Sequence, residues 1–251
     1  MKYDISNVSI SEIAEGIILD YLGDKVNEVK CIDIEGLLTD YFKLQIVYES
    51  FAEDDPCRDG FIADGMKTIC VWRNGTKQNI LFPKGTVVFD RYLLLPEQSC
   101  HRRFCMAHEG RHNVFAKHNA SLLGTFHSEY DREMNYSIEQ FHELFNLHEI
   151  QANNMAAAFL VPRFLAERLL KSFYPRRKKI SVYGESTMFA DDRQKFIDMS
   201  DQLGVSPKTL LIQMKQYGMI KLCTMDELIK AMKKKGGWGD DTYQHIAEVP
   251  N

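Results

Sequence analysis

The sequence predicts an α+β fold, in which a small antiparallel sheet packs against two helices and a helical extension follows on the C-terminal side. Apolar residues alternate with a period of two between residues 43 and 90, a spacing typical of strands. On either side of this region they recur every three to four residues, which is typical of helices. With 45% hydrophobic residues in 251, the chain has enough apolar material for a large core.

Amphipathic helices are predicted at residues 9–22 and 33–41, and strands come next in the chain. Asp64-Gly65 suits a type I′ turn and predicts a hairpin between the strands on its two sides. Asn74-Gly75 gives the same signal one strand later. The expected result is an antiparallel sheet of four or five strands. The predicted strands are 44–48, 61–63, 66–72, 79–82 and 86–89.

The sequence His-Glu-Gly-Arg-His at residues 108–112 follows the predicted sheet. Histidines four residues apart lie on one face of an α-helix, about one turn apart, so both rings can reach one metal ion. A glutamate after the first histidine is placed to take a proton from a water on that metal. This H-E-x-x-H pattern is typical of zinc metallopeptidases. It predicts His108 and His112 as ligands of one Zn²⁺ per chain and Glu109 as the general base.

A catalytic zinc usually takes three protein ligands, and two residues compete for the third position. His118 falls where a metzincin places its third histidine, but Phe115 stands where that pattern needs a glycine. Glu149 is the other candidate. It belongs to a polar stripe on a second helix predicted from residue 138 to 160, and a metal facing the stripe would explain its polarity.

Two further roles are predicted around this second helix. Asn153 lies one turn after Glu149 and can accept a hydrogen bond from a ligand histidine or support the Glu149 carboxylate. Hydrolysis of a peptide also needs a donor for the developing oxyanion. His127, Tyr130 and Tyr136 are candidates of suitable chemical type.

Residues 104–112 and 149–162 resemble the ImmA/IrrE metallo-endopeptidase family, whose members carry R/K-F-x-x-A-H-E-x-x-H and, later, E-x-x-A-N/D-x-F-A-A-x-L-L-M-P. The chain departs from the family pattern at Met155, where Phe is usual, and at Gly110 and Arg111, where a more apolar pair is usual. The resemblance implies a gluzincin-type site with the ligands and base named above. It also implies an HExxH metal-binding helix and a second ligand-bearing helix packed on the sheet. The implied partner is a protein substrate, such as a helix-turn-helix repressor.

Residues 1–171 are expected to form a zincin-like metallopeptidase domain. Residues 172–192 are expected to be a linker or loop, and residues 193–251 a helical part packed on the same domain with a flexible tail. The expected function is zinc-dependent endopeptidase activity. Two alternatives remain: a metal-loaded but proteolytically silent protein-binding module, and a DNA-binding regulator acting through the two helices predicted in residues 193–222.

Net charge and composition narrow the partners and the cellular location that are expected. A net charge of −4 does not favour nucleic acid as a partner. Nothing approaches an apolar span of about 18 residues, so no membrane association is expected. The start of the sequence lacks the apolar run of a signal peptide, and the six cysteines form no C-x-x-C pair. Cytoplasmic localisation is therefore expected.

Overall fold

The computed structural model confirms the α+β fold class. The chain divides into two compact units. The first comprises Met1–Val26 and Asp33–Leu160, and the second comprises Asn27–Ile32 and Val161–Asn251. The residues that the structure describes are 6–52, 59–116, 147–235 and 246–250.

The helices of the first unit surround a pair that carries the candidate site. Helix α1 begins after Ser6, whose hydroxyl oxygen accepts a hydrogen bond from the Ser9 N–H, and its buried residues have the predicted amphipathic spacing. Helix α2 continues as a π-helical turn through Tyr41. Helices α3 and α4 pack against each other, and α4 also packs against α1. Their bounds are α1 (Asn7–Leu22), α2 (Ile34–Gly36), α3 (Ser99–Ala116) and α4 (Leu147–Leu160).

The sheet of the first unit is mixed, so the prediction of a purely antiparallel sheet is wrong. Its strand order is β2-β5-β1-β3-β4, and β1 runs parallel to β5. The other pairs are antiparallel. Parallel pairing joins segments that are distant in the chain, and the turn signals used for prediction are local. The strands are β1 (Gln45–Phe51), β2 (Gly60–Ile62), β3 (Thr68–Arg73), β4 (Thr76–Leu81) and β5 (Thr86–Asp90).

Only one of the two predicted hairpins forms. Asn74 and Gly75 have φ angles of 52° and 76°, the left-handed values of a type I′ turn, and they join β3 to β4. Asp64-Gly65 does not join β2 to β3, because β2 pairs with β5. The Asp64 side chain instead accepts hydrogen bonds from the Met66 and Lys67 N–H groups, so it forms a local turn.

Gly110 allows a close approach between α3 and the segment after α2. A Cβ atom at this position would lie 3.3 Å from Leu38 Cδ2 and 3.5 Å from Phe42 Cε2. A glycine within a helix costs about 1 kcal/mol relative to alanine. Here the missing side chain lets α3, the helix that carries the H-E-x-x-H motif, pack closely against Leu38 and Phe42. This close packing accounts for the presence of a glycine in the middle of the helix.

The second unit contains a four-stranded sheet that the sequence analysis did not predict. Its order is β8-β6-β7-β9. Strands β6 and β7 occupy much of the segment 172–192, so the linker prediction is wrong there. Strand β9 pairs with β7 in the tail that was expected to be flexible. The strands are β6 (Ile180–Tyr183), β7 (Thr187–Phe189), β8 (Ile220–Cys223) and β9 (Ile246–Glu248).

Two helices of this unit lie where the sequence predicted them, on either side of Gly204 and Ser206. Gly204 ends one helix with a left-handed φ of 63°. The Ser206 hydroxyl oxygen accepts from the Thr209 N–H and starts the next helix, with Pro207 at its first position. The helices are α5 (Arg163–Phe173), α6 (Ala190–Leu203), α7 (Pro207–Gln216) and α8 (Met225–Lys235).

Candidate metal centre

The H-E-x-x-H motif lies in the buried part of α3. His108, Glu109 and His112 are 8%, 3% and 2% exposed, and Arg111 is fully buried. Burying several ionisable groups together is costly unless they are hydrogen-bonded or bind an ion. The motif therefore needs an explanation beyond that of an ordinary helix surface.

The two histidine rings face each other across one turn of α3. Their centroids are 4.8 Å apart, and His108 Nε2 lies 3.0 Å from His112 Nε2. Two nitrogens on one tetrahedral zinc at Zn–N of 2.0–2.1 Å would be about 3.3 Å apart. The two Nε2 atoms thus already have nearly the separation that a shared ion requires.

A directional chain of hydrogen bonds fixes the tautomers of this pair. Arg111 Nη1 lies 3.2 Å from His112 Nδ1, and because arginine can only donate, the histidine nitrogen accepts. A neutral His112 then carries its proton on Nε2 and donates it to His108 Nε2. His108 in turn donates from Nδ1 to the Asn153 side-chain oxygen at 3.1 Å. The chain of donors thus runs from Arg111 to Asn153.

Asn153 connects the two helices of the candidate site. It is half-buried on α4, and its bond to His108 Nδ1 places the lone pair of that ring on Nε2, the atom that faces His112 and that a shared metal would contact. Glu149 lies in the first turn of α4, four residues before Asn153. The contact between Asn153 and a motif histidine is thus present, and the role of that contact in metal binding stays a prediction.

Several predicted residues lie outside the part of the chain that the structure describes. These are the competing ligand His118 and the oxyanion-donor candidates His127, Tyr130 and Tyr136. The start of the second predicted helix, near residue 138, also lies there. For Glu149 the structure describes the backbone but not the side chain.

The described residues fit a zinc-class ion with one adjustment. Two imidazole nitrogens converge, and His108 already has the ligand tautomer. His112 must move its proton from Nε2, and the Arg111 contact at Nδ1 opposes the tautomer that results. The two histidines can therefore hold the metal once His112 changes its tautomer.

Replacing Asn153 with alanine is expected to weaken zinc binding by about 10-fold or more, because the His108 ring loses the acceptor that fixes its orientation. The measurement is competition for zinc against a chelator. Asn153→Asp should be the mildest substitution, since a carboxylate accepts the same bond.

Asn154→Ala is the matched control for this experiment. Asn154 is next to Asn153 in the chain, but its side-chain Nδ2 donates to Asn7 Oδ1 on α1 at 2.8 Å and not to the histidine pair. Equal zinc affinity in the Asn153→Ala and Asn154→Ala variants would remove Asn153 from the metal centre.

A second polar cluster lies near the start of α3 and can also bind a metal. Its members are Asp59, His101 and Cys105. His101 Nε2 is 2.8 Å from Asp59 Oδ2, and Cys105 Sγ is 3.6 Å from the same oxygen and 3.8 Å from His101 Nε2. The Tyr92 hydroxyl donates to the other oxygen of the Asp59 carboxylate.

Mutual contacts shift the pKa values in this cluster. Burial raises the pKa of the Asp59 carboxyl, but hydrogen bonds from His101, Tyr92 and Cys105 outweigh burial and lower it below the usual value. The hydrogen bond to Asp59 raises the pKa of His101. Burial and then the nearby carboxylate of Asp59 raise the pKa of the Cys105 thiol well above its usual value. The thiol alone is therefore a poor nucleophile.

This cluster was not predicted from the sequence, although the spacing of two of its residues gives a signal there. His101 and Cys105 are four residues apart on α3 and precede His108 and His112 by seven residues. At that spacing all four lie along one stripe of the helix. Asp59 comes from just before β2, and no local pattern connects it to α3.

Comparisons with known proteins add little to this description. No protein-family model matches the chain, and no curated protein matches it. A solved structure described as a Mycobacterium tuberculosis transcriptional regulator aligns at 17% identity with a TM-score of 0.39. The alignment covers 81% of this chain and 45% of that one, so the present chain matches less than half the length of its neighbour. Neither fold nor function is transferred from it.

Among the described residues, none of the helices combines the length and the apolar character that a bilayer crossing requires.

Proposed function

We propose that this chain is a zinc-dependent endopeptidase. The observation that carries the proposal is the convergence of His108 Nε2 and His112 Nε2, 3.0 Å apart on a buried H-E-x-x-H helix. Asn153 supports it by fixing the ligand tautomer of His108. Glu149 is proposed as the third ligand, from its position on α4 one turn before Asn153 and from the sequence resemblance.

The roles of the residues follow from their chemistry. Zinc, when bound, supplies a Lewis acid for water and for the scissile carbonyl. Glu109 would take a proton from the attacking water as the new C–O bond forms, and would then deliver that proton to the amine nitrogen as the C–N bond breaks. His108 and His112 hold the ion, and Asn153 keeps the His108 ring in place.

The resemblance to the ImmA/IrrE family supports a protein as the substrate, such as a helix-turn-helix repressor. The H-E-x-x-H segment of α3 and the Glu149 segment of α4 carry this resemblance, and these two helices pack against each other. Cleavage within a folded regulator would require an exposed segment to enter the site. Substrate identity is part of the proposal.

The DNA-binding alternative would use α6, α7 and the turn between them. Thr209, Leu210, Leu211, Gln213 and Met214 of α7 are buried. Gln216 is the exposed residue of that helix, and its other residues are half-buried. A recognition helix needs several exposed polar side chains to reach base edges. We therefore prefer the hydrolase.

The proposed function is tested by metal content and cleavage together. The purified chain, equilibrated with zinc and desalted, should retain zinc through the histidine pair and should lose that zinc in a His108→Gln/His112→Gln variant. Its activity is assayed on a peptide library from a bacterial proteome, with new internal termini detected by mass spectrometry. Zinc retention without any new termini would favour the silent binding module. Failure to retain zinc would overturn both readings.

Arg111→Met is expected to tighten zinc binding at the histidine pair. The substitution removes a buried cation from the ion's vicinity and frees His112 Nδ1 to carry the proton that Nε2 must give up. Chelator competition measures the change. Arg103→Met, on the same helix but outside the histidine chain, controls for loss of charge. Weaker binding in Arg111→Met with an intact circular-dichroism spectrum would contradict this account.

A further inference from the structure

Three donor atoms of different elements converge on one point near the start of α3. They are Asp59 Oδ2, His101 Nε2 and Cys105 Sγ, at mutual distances of 2.8, 3.6 and 3.8 Å. Around a tetrahedral zinc-class ion, pairs that include sulfur would lie about 3.5 Å apart and nitrogen–oxygen pairs about 3.3 Å apart. The two distances to sulfur therefore already suit a shared ion. The nitrogen–oxygen pair is a hydrogen bond that must open by about 0.5 Å when the ion replaces its proton.

The arrangement is that of a ligand set and not of a nucleophile–base relay. In a relay the histidine uses one ring nitrogen for the nucleophile and the other for the carboxylate. Here the same atom, His101 Nε2, faces both the thiol and the carboxylate. No proton can be passed through the ring in that geometry, whereas a cation at the common point would contact all three groups.

The carboxylate is held in advance of any ion. The Tyr92 hydroxyl donates to Oδ1 of Asp59 and leaves Oδ2 facing the other two donors. The Asp59 backbone carbonyl accepts from the Asp90 N–H at 2.8 Å, which attaches this residue to the end of β5. Such support around a ligand typically strengthens a metal site.

Access and rigidity also suit an exchangeable ion. The Cys105 side chain is buried on the inner face of α3, while the His101 side chain is 45% exposed. Solvent therefore reaches the His101 ring, and a water could complete the coordination of an ion held there. The mixed set of sulfur, nitrogen and oxygen favours Zn²⁺ or Co²⁺ over Mg²⁺ and Ca²⁺, which prefer oxygen alone.

We propose that Asp59, His101 and Cys105 form a second site for a zinc-class divalent cation, separate from the one at His108 and His112. The two histidine positions 101 and 108 are seven residues apart, which is about 10 Å along a helix. Helix α3 thus presents two ion positions along a single stripe. The second site joins the residue preceding β2 to α3, and the inference does not rest on the proposed peptidase activity.

Titration of the full, reduced chain with Co²⁺ alone tests the site. Cobalt bound to a thiolate gives an intense near-ultraviolet charge-transfer band that the histidine pair, lacking sulfur, cannot give. We expect the band to reach its plateau with one thiolate-bound cobalt per chain and to disappear when Zn²⁺ is added. Cys105→Ser should abolish it, and His101→Asn should weaken cobalt affinity by about 10-fold or more. Cys100→Ser should leave it intact, because Cys100 lies on the same helix outside the cluster.

Further outcomes of this titration decide the inference. Retention of the band in a His108→Gln/His112→Gln variant would support a separate site, and its loss there would overturn the separation. A wild-type chain without the band at saturating cobalt, or a band that persists in Cys105→Ser, would overturn the site. If Cys105→Ser proves unfolded by circular dichroism, His101→Asn decides, since its partly exposed side chain can be replaced without disturbing the core.

Discussion

Replacing Glu109 with glutamine is expected to lower peptide cleavage by about 10²- to 10⁴-fold while leaving zinc bound. The amide keeps the size of the buried side chain and removes its basic oxygen. Because the proposed ligands are His108, His112 and Glu149, and Glu109 is not one of them, metal content should stay near one zinc per chain at the histidine pair. The combination separates a base from a ligand, which a loss of activity alone cannot do.

The readouts are zinc content after desalting and the number of new termini in the peptide library. Glu97→Gln, an exposed carboxylate just before α3, serves as the matched control and should behave as the unmodified chain. If the Glu109→Gln chain loses zinc from the histidine pair, Glu109 is a ligand or a structural residue. Unchanged cleavage would assign the base to another residue.

Glu149→Ala is expected to abolish most zinc retention at the histidine pair, whereas His118→Ala should leave it nearly intact. Glu149 lies one turn before Asn153 on α4, and Asn153 already contacts His108. Loss of a direct ligand typically weakens binding by several orders of magnitude, beyond the 10- to 100-fold effect of a supporting residue. The two substitutions therefore differ enough to decide between the candidates.

Zinc bound to each variant is measured by chelator competition in a Cys105→Ser background, so that the second cluster contributes nothing. Asn153→Ala gives the scale of an indirect effect in the same assay. A Glu149→Ala chain that keeps its zinc, together with a His118→Ala chain that loses it, would reverse the assignment of the third ligand.

The sequence was sufficient where structure depends on neighbouring residues. The Asn74-Gly75 hairpin forms because both residues adopt left-handed φ values that their types favour. The start of α7 at Ser206 likewise depends on a hydrogen bond three residues along the chain. The β1–β5 pairing and the second sheet join distant segments, and short-range signals do not encode them. Asp64 illustrates this difference. The local turn at Asp64 forms, but the strands on its two sides do not pair with each other as predicted.

The candidate site divides in the same way. The facing of His108 and His112 follows from helical periodicity, and the sequence predicted it together with the contact available to Asn153. Periodicity also contained His101 and Cys105, but the partner carboxylate of Asp59 comes from another element. The contact of Arg111 with His112 was not predicted either, because an arginine in a helix is ordinarily solvated.

The chain of donors from Arg111 through both histidines to Asn153 separates folding from ion loading. Each ring nitrogen of the pair has a hydrogen-bond partner within the protein before an ion arrives. Folding without the metal therefore leaves no ring nitrogen of this pair without a hydrogen bond. Small zinc domains differ, because they unfold when the metal is absent. At the histidine pair, zinc then adds stability only by mass action, about 2.7 kcal/mol at a free concentration 100 times its Kd. In the proposed enzyme, loss of zinc would therefore end activity without requiring the chain to unfold.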